Sequence, residues 1–440
     1  MRKSLKIFVA ALCALALPQI TNAQKVDELK FYNVKTLLKN GDAVMIGQGA
    51  FETNDACYYY RLPNKLKGVV RKEVWDLGTN SAGIAIRFSS DAKCIGAKWT
   101  LTNNFSMMHM AHTGIKGMDL YVLDVKRDLG AGTSVAKNSD KKQKKAVLST
   151  KDKFKEAFSS LGSDLSKAKD DIVSAMEGKE WKFAGTAFPN GKNSANVFIR
   201  EMAGGKREYM IYLPLYDGIE KLEIGVDSAA NISAPSGALI PEYKKDPDSK
   251  EGLPIVFYGT SVTQGGCASR PGMAYPSIIS RALNIETVNL GFSGNGRMDA
   301  NMADFISGLP ASAYVIDCLA NCKYEMTRDS SSYFISRIAT AHPETPVYMV
   351  TNYHKPAQFI LPESNDDLIK ENILWKKIFE ELSTKGTMLD GKPTGPMKNL
   401  RFIDVSSENI IGNEDTVDGT HLTDMGFTHF AKELLRYLGK

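Results

Sequence analysis

Residues 255–261 read Ile-Val-Phe-Tyr-Gly-Thr-Ser. Four consecutive apolar residues predict a strand that is buried on both faces, because a half-exposed strand would alternate apolar and polar residues. Comparable apolar runs follow at helix-length intervals, at residues 287–290, 314–316, 347–350 and 402–405. Such a series is typical of a parallel sheet that is covered by helices on both faces. It predicts a flavodoxin-like three-layer α/β/α domain with a five-stranded parallel sheet, whose chemistry lies at the carboxyl ends of the strands.

The chain before this domain has a different pattern. From residue 26 to about residue 240, short runs alternate apolar and polar residues between Gly, Asn and Asp. The clearest runs are residues 83–88, 119–123 and 208–213. They predict the antiparallel strands of an all-β sandwich, and a polar segment at residues 241–254 predicts a linker. We therefore expect an N-terminal β-sandwich domain at residues 24–245 and an α/β domain at residues 246–440.

One Lys-rich segment interrupts the alternation, at about residues 127–178. Apolar residues recur there at helical spacing, through Phe154, Phe158, Leu161 and Leu165. The segment therefore predicts a helical insertion on the surface of the sandwich. Its basic residues suit a solvated face, and the alternative is docking to an acidic partner or surface.

Residues 1–23 have the layout of a secretory signal peptide. Three basic residues precede an apolar run at residues 7–17, and Thr-Asn-Ala at residues 21–23 offers small residues before a cleavage point. The apolar run is too short to span a bilayer. We expect the mature chain to start at about Gln24, to have no membrane span, and to be periplasmic or secreted.

The formal net charge of +5 is unevenly distributed. The signal carries three positive charges, and residues 126–179 hold 13 Lys/Arg against 8 Asp/Glu. The rest of the chain is therefore slightly acidic. This distribution argues against nucleic acid as a partner.

Metal ligands at a recognisable spacing are missing from the sequence. Cys318 and Cys322 have no second Cys/His pair at zinc-ligand spacing, which predicts buried thiols. His109 and His112 are close together, but no neighbouring carboxylate completes a metal site, which favours a loop at the domain interface. We therefore expect neither a metal nor an organic cofactor.

Asp418 and His421 give the strongest catalytic signal. An Asp three residues before a His can hold the imidazole through one ring nitrogen and leave the other nitrogen free as a base. Ser261 is the natural nucleophile for that base, because it lies on a tight turn that Gly259 permits after the first apolar strand. These residues predict a serine hydrolase. The alternative for Ser261 alone is a helix N-cap.

Two further residues follow the next two strands of the predicted sheet. Gly294 lies in a Gly-rich loop at residues 289–296, whose spacing is not that of a dinucleotide-binding fingerprint. Asn321 comes after the third strand. The N–H groups of Ser261 and Gly294 and the side-chain amide of Asn321 thus predict an oxyanion hole.

In this order, Ser261, Gly294, Asn321 and His421 resemble the four sequence blocks of the SGNH/GDSL hydrolase superfamily, with Asp418 as the partner of His421. The chain is also similar to two-domain SGNH-type esterases of Bacteroidetes-like bacteria. That similarity rests on Gly-Met-Asp-Leu-Tyr at residues 117–121 in the sandwich and on the run at residues 265–276. The nucleophile block reads Gly-Thr-Ser-Val rather than Gly-Asp-Ser-Leu, a form typical of this subgroup.

The resemblance implies a secreted or periplasmic serine esterase that removes small acyl groups, above all acetyl, from carbohydrate. Its partner would be a small acyl ester or an acetylated glycan. The same triad also fits a lysophospholipase or thioesterase-type acyl hydrolase, but the polar residues Gln264, Ser269 and Arg270 near Ser261 favour sugars. A glycan-binding protein with an idle hydrolase domain is the remaining alternative, and the intact triad argues against it.

Overall fold

The computed structural model of the protein describes residues 26–51, 58–125, 179–407 and 410–439. The predicted signal peptide, the start at Gln24 and the predicted Lys-rich helical insertion lie outside these residues. Within the described ranges, every helix is too short or too polar to cross a bilayer.

The N-terminal part contains ten described strands, which form two antiparallel sheets. The strands are β1 (Lys30–Asn33), β2 (Ala43–Ile46), β3 (Ala85–Ser90), β4 (Ile95–Leu101), β5 (Met118–Val125), β6 (Lys179–Ala187), β7 (Asn193–Ile199), β8 (Arg207–Tyr212), β9 (Ile219–Val226) and β10 (Ile232–Ser233). One sheet has the order β1-β9-β4-β7, and the other has the order β10-β3-β8-β5-β6, with β2 paired to β3. Three short helices accompany them: α1 (Val34–Asn40), α2 (Lys72–Gly78) and α3 (His112–Ile115).

The two sheets pack face to face around one apolar core. Ile86 and Phe88 of β3 belong to the same buried cluster as Trp99 of β4 and Ile224 of β9. These residues come from alternate positions of their strands, because successive side chains point to opposite faces of a sheet. Each large apolar side chain buried in this way contributes about 1.5–3 kcal/mol. The predicted all-β N-terminal part is thereby confirmed.

The outer face of the second sheet is also buried. Tyr212 and Trp181 lie on that face, in a smaller apolar cluster. The Tyr212 hydroxyl donates to the Ser277 carbonyl at 3.3 Å, and the indole N–H of Trp181 donates to Asn284 Oδ1 at 3.2 Å. Ser277 and Asn284 belong to the C-terminal part, so the sandwich packs its second sheet directly against that part.

The C-terminal part alternates strands and helices. Its elements are β11 (Ile255–Gly259), α5 (Ser261–Gln264), α6 (Tyr275–Leu283), β12 (Thr287–Gly291), α7 (Ala300–Ser307), β13 (Ala313–Asp317), α8 (Tyr324–Ala341), β14 (Val347–Val350), α9 (Asp366–Thr384), β15 (Met388–Leu389), β16 (Lys392–Pro393), β17 (Leu400–Ile403) and α10 (Asp424–Leu438). A short helix, α4 (Glu242–Lys245), precedes them.

Five of these strands form a parallel sheet of order β12-β11-β13-β14-β17, which confirms the predicted three-layer α/β/α fold. Successive residues of β11 enter different cores: Tyr258 packs on one face of the sheet and Phe257 on the other. The last strand begins at Leu400, two residues before the predicted run, because Leu400 pairs with Val347 of β14. Strand order reverses at β11, and such a switch point is where ligands bind in open α/β sheets.

The segment predicted as a linker is anchored to the α/β part. Tyr243 of α4 is buried, and its hydroxyl donates to Glu286 Oε2. Lys244 Nζ lies 3.4 Å from the same carboxylate, and Glu286 also accepts the N–H of Gly47 at 2.7 Å. One buried carboxylate therefore joins the sandwich, this short helix and the parallel sheet.

A second buried carboxylate joins the two motifs that carried the family resemblance. Asp119 accepts hydrogen bonds from Arg270 Nη1 at 3.1 Å and from the Gly272 N–H at 3.0 Å. Arg270 also donates to the Tyr121 hydroxyl at 2.6 Å. Burial, partly opposed by Arg270, raises the pKa of Asp119 to about 6. The Asp and Tyr of residues 117–121 thus bind the Arg-Pro-Gly of residues 270–272.

Candidate active site

Ser261 is the first residue of α5, directly after β11. The preceding residue, Thr260, caps this helix: its side chain accepts the N–H of Val262 at 3.2 Å. The alternative role of Ser261 as an N-cap is therefore wrong. Because Thr260 takes the capping position, the hydroxyl of Ser261 is available for another partner.

Gly259 is required by space rather than by an unusual backbone angle. A Cβ at this position would lie 1.9 Å from Thr263 Oγ1 and 2.4 Å from the Asp317 carbonyl oxygen. Gly259 is not among the described residues with a positive φ. The sequence predicts that this glycine permits a sharp turn, but the structure shows that it permits a close approach between β11 and its neighbours. The approach brings the carboxyl ends of β11 and β13 together at Ser261.

Ser261, His421 and Asp418 form one continuous chain of hydrogen bonds. Ser261 Oγ lies 2.9 Å from His421 Nε2, and His421 Nδ1 lies 2.7 Å from Asp418 Oδ2. The Ser261 residue is 8% exposed, and His421 is half-buried. The structure therefore brings together all three residues that the sequence predicts as catalytic, in the order that proton transfer requires.

The carboxylate of Asp418 is held in its charged form. Burial alone would raise its pKa, but hydrogen bonds from the His421 backbone N–H, the His421 ring and the Thr420 N–H together lower the pKa of Asp418 below its usual value. Tyr353 donates its hydroxyl to the Thr420 carbonyl and so fastens the turn that carries the pair. An ionised, fixed Asp418 orients the imidazole with Nε2 toward Ser261.

The Gly-rich loop after β12 lies against α5. Asn289 Nδ2 donates to the Thr263 carbonyl at 2.7 Å, and the Ser293 N–H donates to Gln264 Oε1 at 3.0 Å. A Cβ on Gly291 would lie 2.2 Å from the backbone nitrogen of Gln264. Gly294 has a φ of +67°, a left-handed conformation that glycine adopts without strain. The loop that carries Gly294 is thus fixed beside the helix that begins at Ser261.

Asn321 lies at the end of a short 3₁₀ turn after β13. Its amide nitrogen donates to the Phe292 carbonyl of the Gly-rich loop at 3.2 Å. A side-chain amide has two N–H groups, so one remains for a substrate. The ends of β11, β12 and β13 therefore meet, and the oxyanion roles of Ser261, Gly294 and Asn321 stay predictions.

Arg61, a residue of the N-terminal part that the sequence analysis missed, holds the same Gly-rich loop. It is 1% exposed, and its guanidinium donates to four carbonyl oxygens. Two of these belong to Asn289 at 3.0 Å and Gly291 at 2.6 Å. Burial lowers the pKa of Arg61 to about 9. No local sequence pattern marks an Arg whose partners are backbone carbonyls distant in the chain.

His109 is a second residue of the N-terminal part that lies beside the triad. Its ring centroid lies 5.6 Å from that of His421, and its ligand atom lies within 4.8 Å of Cys267 and Asp418. The prediction that no carboxylate lies near His109 is therefore wrong, because Asp418 approaches it from the other end of the chain. Burial, followed by the charge of Asp418, raises the pKa of the Cys267 thiol to about 12. By contrast, Cys318 and Cys322 are buried thiols as predicted.

The three polar residues that favoured a sugar substrate are engaged within the protein. Gln264 is fully buried and donates to the Leu215 carbonyl at 3.0 Å. Ser269 donates to the carboxylate of Asp424, and Arg270 contacts Asp119. This argument for sugars is therefore wrong, because these groups already have partners inside the fold.

A cavity of about 1200 Å³ lies away from the triad. It is lined by residues of α1 and β2, by Tyr243, and by Ala311 and Thr345, which precede β13 and β14. It therefore borders the amino ends of the parallel strands, whereas Ser261 and Asn321 follow their carboxyl ends. Because chemistry in such sheets lies at the carboxyl ends, the triad and not this cavity marks the candidate active site.

Two family models together match most of the chain. The model of the GDSL-like lipase/acylhydrolase family matches residues 252–439. A model described as the N-terminus of SGNH-hydrolase-type esterases, named for its Gly-x-Asp-Leu-Tyr motif, matches residues 29–159 and 171–232. A search of curated proteins gave no match.

Solved structures with the same two-part architecture were also found. A structure described as a GDSL-like lipase from Bacteroides ovatus has a TM-score of 0.69 and 27% sequence identity, over 92% of this chain and 96% of that chain. The salicylyl-acyltransferase SsfX3 from a tetracycline biosynthetic pathway has a TM-score of 0.60 and 14% identity, over 94% of this chain and 97% of that chain, and it supports the fold alone.

Proposed function

We propose a function from one premise: the chain belongs to the GDSL-like lipase/acylhydrolase family and has the N-terminal domain of SGNH-type esterases. On this premise, the protein removes small acyl groups, above all acetyl, from carbohydrate. Family membership makes it an ester hydrolase. The acyl group, the carbohydrate and a periplasmic or secreted location are the parts that we propose.

The hydrogen-bonded chain from Ser261 to Asp418 carries the mechanism. Ser261 Oγ attacks the ester carbonyl carbon as its proton passes to His421 Nε2. The C–O bond to the alcohol then breaks, and His421 returns the proton to the leaving alcohol. Water repeats the sequence on the acyl-enzyme and releases the acid, while Asp418 holds the imidazole in one tautomer.

Charge that develops on the carbonyl oxygen needs donors that are already in place. The N–H groups of Ser261 and Gly294 and the amide of Asn321 are the donors that we assign. Arg61 fixes the loop between Asn289 and Gly291, so it acts through the position of that loop. Removal of one such donor costs on the order of 100-fold in turnover in other serine hydrolases.

The low accessibility of the nucleophile supports a substrate with a small acyl group. Ser261 is 8% exposed, and the backbone at Gly266 passes so close to His421 that a Cβ there would lie 3.1 Å from the ring. The carbohydrate part rests on the family resemblance alone, and the location rests on the signal-like residues 1–23.

Exposed apolar residues near the site favour a second candidate, a lysophospholipase or thioesterase-type hydrolase of longer acyl chains. Phe105 and Met108 are largely exposed in the loop that carries His109, and Val417 is 46% exposed beside Asp418. An apolar rim of this kind would bind an acyl chain by burial of its surface. An idle hydrolase domain that only binds glycans has less support, because it would not need the Ser261–His421 hydrogen bond.

Hydrolysis of p-nitrophenyl esters tests the proposal. The protein should cleave p-nitrophenyl acetate, should act far less on the octanoate and palmitate esters, and should lose its activity in Ser261→Ala. Ser307→Ala, at a half-buried serine of α7 whose hydroxyl donates to the Asp304 carbonyl, is the matched control and should keep full activity. Equal activity of Ser261→Ala would overturn the mechanism, and preference for palmitate would favour the second candidate. Release of acetate from acetylated polysaccharides then tests the carbohydrate part.

A further inference from the structure

Four side chains with metal-ligating atoms meet beside the candidate triad. They are His109, Cys267, Asp418 and His421, and one ligand atom from each lies within 4.8 Å of the other three. His109 belongs to the loop between β4 and α3, Cys267 follows α5, and the remaining two share the turn before α10. Three distant parts of the sequence therefore contribute to one cluster.

The donor set of this cluster is suited to zinc. Two imidazoles, one thiolate and one carboxylate are the ligands that Zn²⁺ prefers, usually in a tetrahedron with bonds of about 2.0–2.3 Å. Such bonds place neighbouring ligand atoms roughly 3.3–3.8 Å apart. Movements on the order of 1 Å would therefore bring the four atoms from their present spacing onto one ion.

The triad explains only two of the four residues. Asp418 and His421 are hydrogen-bonded to each other, but neither His109 nor Cys267 takes part in that chain. His109 is exposed and contacts His421 only through the rings, whose planes are tilted by 47°. Cys267 is buried with a φ of +70°, a backbone conformation that costs free energy for a residue with a side chain. The residue with this unfavourable conformation lies beside Asp418 and His421 of the triad.

We propose that His109, Cys267, Asp418 and His421 bind a Zn²⁺ ion that reversibly inhibits the enzyme. The ion takes the lone pairs that His421 and Asp418 use in catalysis, so His421 can no longer accept the proton of Ser261. Cys267 binds as a thiolate, and its proton passes to solvent. The inhibition rests on the proposed esterase function, whereas the metal site itself does not.

The test uses the full chain after treatment with EDTA and removal of the chelator. Isothermal titration calorimetry with Zn²⁺ should give one site per chain. Titration with Co²⁺, which occupies zinc sites, should give a near-ultraviolet thiolate-to-metal absorption band. That band should be absent in Cys267→Ser and should require at least about 10-fold more metal in His109→Ala, because loss of a metal partner weakens affinity by that order.

Activity supplies the second readout. Zn²⁺ should stop p-nitrophenyl acetate hydrolysis by the wild type at the concentrations that fill the calorimetric site, and EDTA should restore it. His109→Ala and Cys267→Ser should keep zinc-free hydrolysis within about twofold and resist at least about 10-fold more Zn²⁺. His112→Ala is the matched control, because His112 lies three residues after His109, at the start of α3, and pairs with Ser106 at 3.1 Å; it should behave as wild type.

The outcomes separate the two proposals. A protein that binds Zn²⁺ with the thiolate band but hydrolyses no ester would keep the metal site and overturn the proposed function. A protein that hydrolyses the ester but shows no thiolate band would overturn the metal site. So would Cys267→Ser and His109→Ala variants that bind Zn²⁺, or are inhibited by it, as the wild type is.

Discussion

Ser261 Oγ lies 2.9 Å from His421 Nε2 although 160 residues separate them. Ser261 is placed by the end of β11, the first strand of the parallel sheet along the chain. His421 is placed by a turn that Tyr353 and Asp418 hold in position. The contact therefore depends on the sheet topology and on the turn that carries His421. Substitutions of residues on either side of the contact can test it.

Asp418→Asn should reduce kcat on p-nitrophenyl acetate by on the order of 10³–10⁴, because the amide presents the wrong hydrogen-bonding pattern to His421 Nδ1. Steady-state kinetics at neutral pH measure this loss. Glu414→Gln changes an exposed acid in the same loop and should leave kcat unaltered. A loss shared equally by both variants would mean that the loop, and not the carboxylate of Asp418, supports turnover.

Asn321→Ala should reduce kcat about 100-fold, as expected for one oxyanion donor, and leave KM near the wild-type value. Its hydrogen bond to the Phe292 carbonyl contributes only about 1 kcal/mol, so thermal stability should change little. Wild-type kcat in this variant, with the fold intact by circular dichroism, would remove Asn321 from the oxyanion hole.

Arg61→Met should lower both stability and kcat. The change leaves four carbonyl oxygens without their donor, at about 1–3 kcal/mol for each buried group that finds no other partner. Urea unfolding measures the first effect. Because the loop at residues 289–296 loses its fixed position, kcat at a temperature where the variant is folded should fall more than KM changes. Arg61→Lys restores the charge but not the fork of donors, so it should recover only part of the stability. Full kcat in folded Arg61→Met would contradict the positioning role.

Asp317→Asn should change how stability depends on pH. Burial raises the pKa of Asp317 to about 6, above its unfolded value near 3.8. Between about pH 4 and 6 the folded state therefore binds more protons than the unfolded state, and the wild type loses stability as pH rises through this window. Two pKa units correspond to about 2–3 kcal/mol.

Urea unfolding of both proteins at pH 4 and pH 6.5 measures this loss. Asp317→Asn should lose about 2–3 kcal/mol less than the wild type over the interval, because its amide does not ionise. Asp119 has a pKa raised in the same direction and remains in both proteins, so it cancels in the comparison. Identical pH dependence of the two would show that Asp317 ionises at its ordinary pKa.

The parallel sheet could be predicted from the sequence because its strands are buried on both faces. Residues 255–258 form a continuous apolar run, and the structure places Phe257 and Tyr258 in cores on opposite faces. The alternation of apolar and polar residues predicts the sandwich, but it does not predict that the outer face of the second sheet is also buried. Tyr212 lies on a face that alternation assigns to solvent, and that face is covered by α6, which only the tertiary fold reveals.

The triad residues could be proposed from short-range spacing, since Asp418 and His421 are three residues apart. Arg61 and His109 could not, because their partners lie in the other half of the chain and follow no local spacing. Gln264 departs from its predicted role near the substrate for a related reason. A polar residue near the nucleophile suggests a substrate contact, but the fold buries it between Leu215 and Ser293.

In the proposed mechanism, Ser261 is a nucleophile that His421 and Asp418 activate. Intact-mass and peptide mass spectrometry after treatment with a fluorophosphonate ester tests it most directly, because the serine oxygen displaces fluoride and keeps the phosphonyl group. We expect one adduct per chain, on the peptide that contains Ser261, with no adduct in Ser261→Ala and far slower labelling in His421→Ala. An adduct on another residue, or equal labelling of wild type and Ser261→Ala, would contradict it.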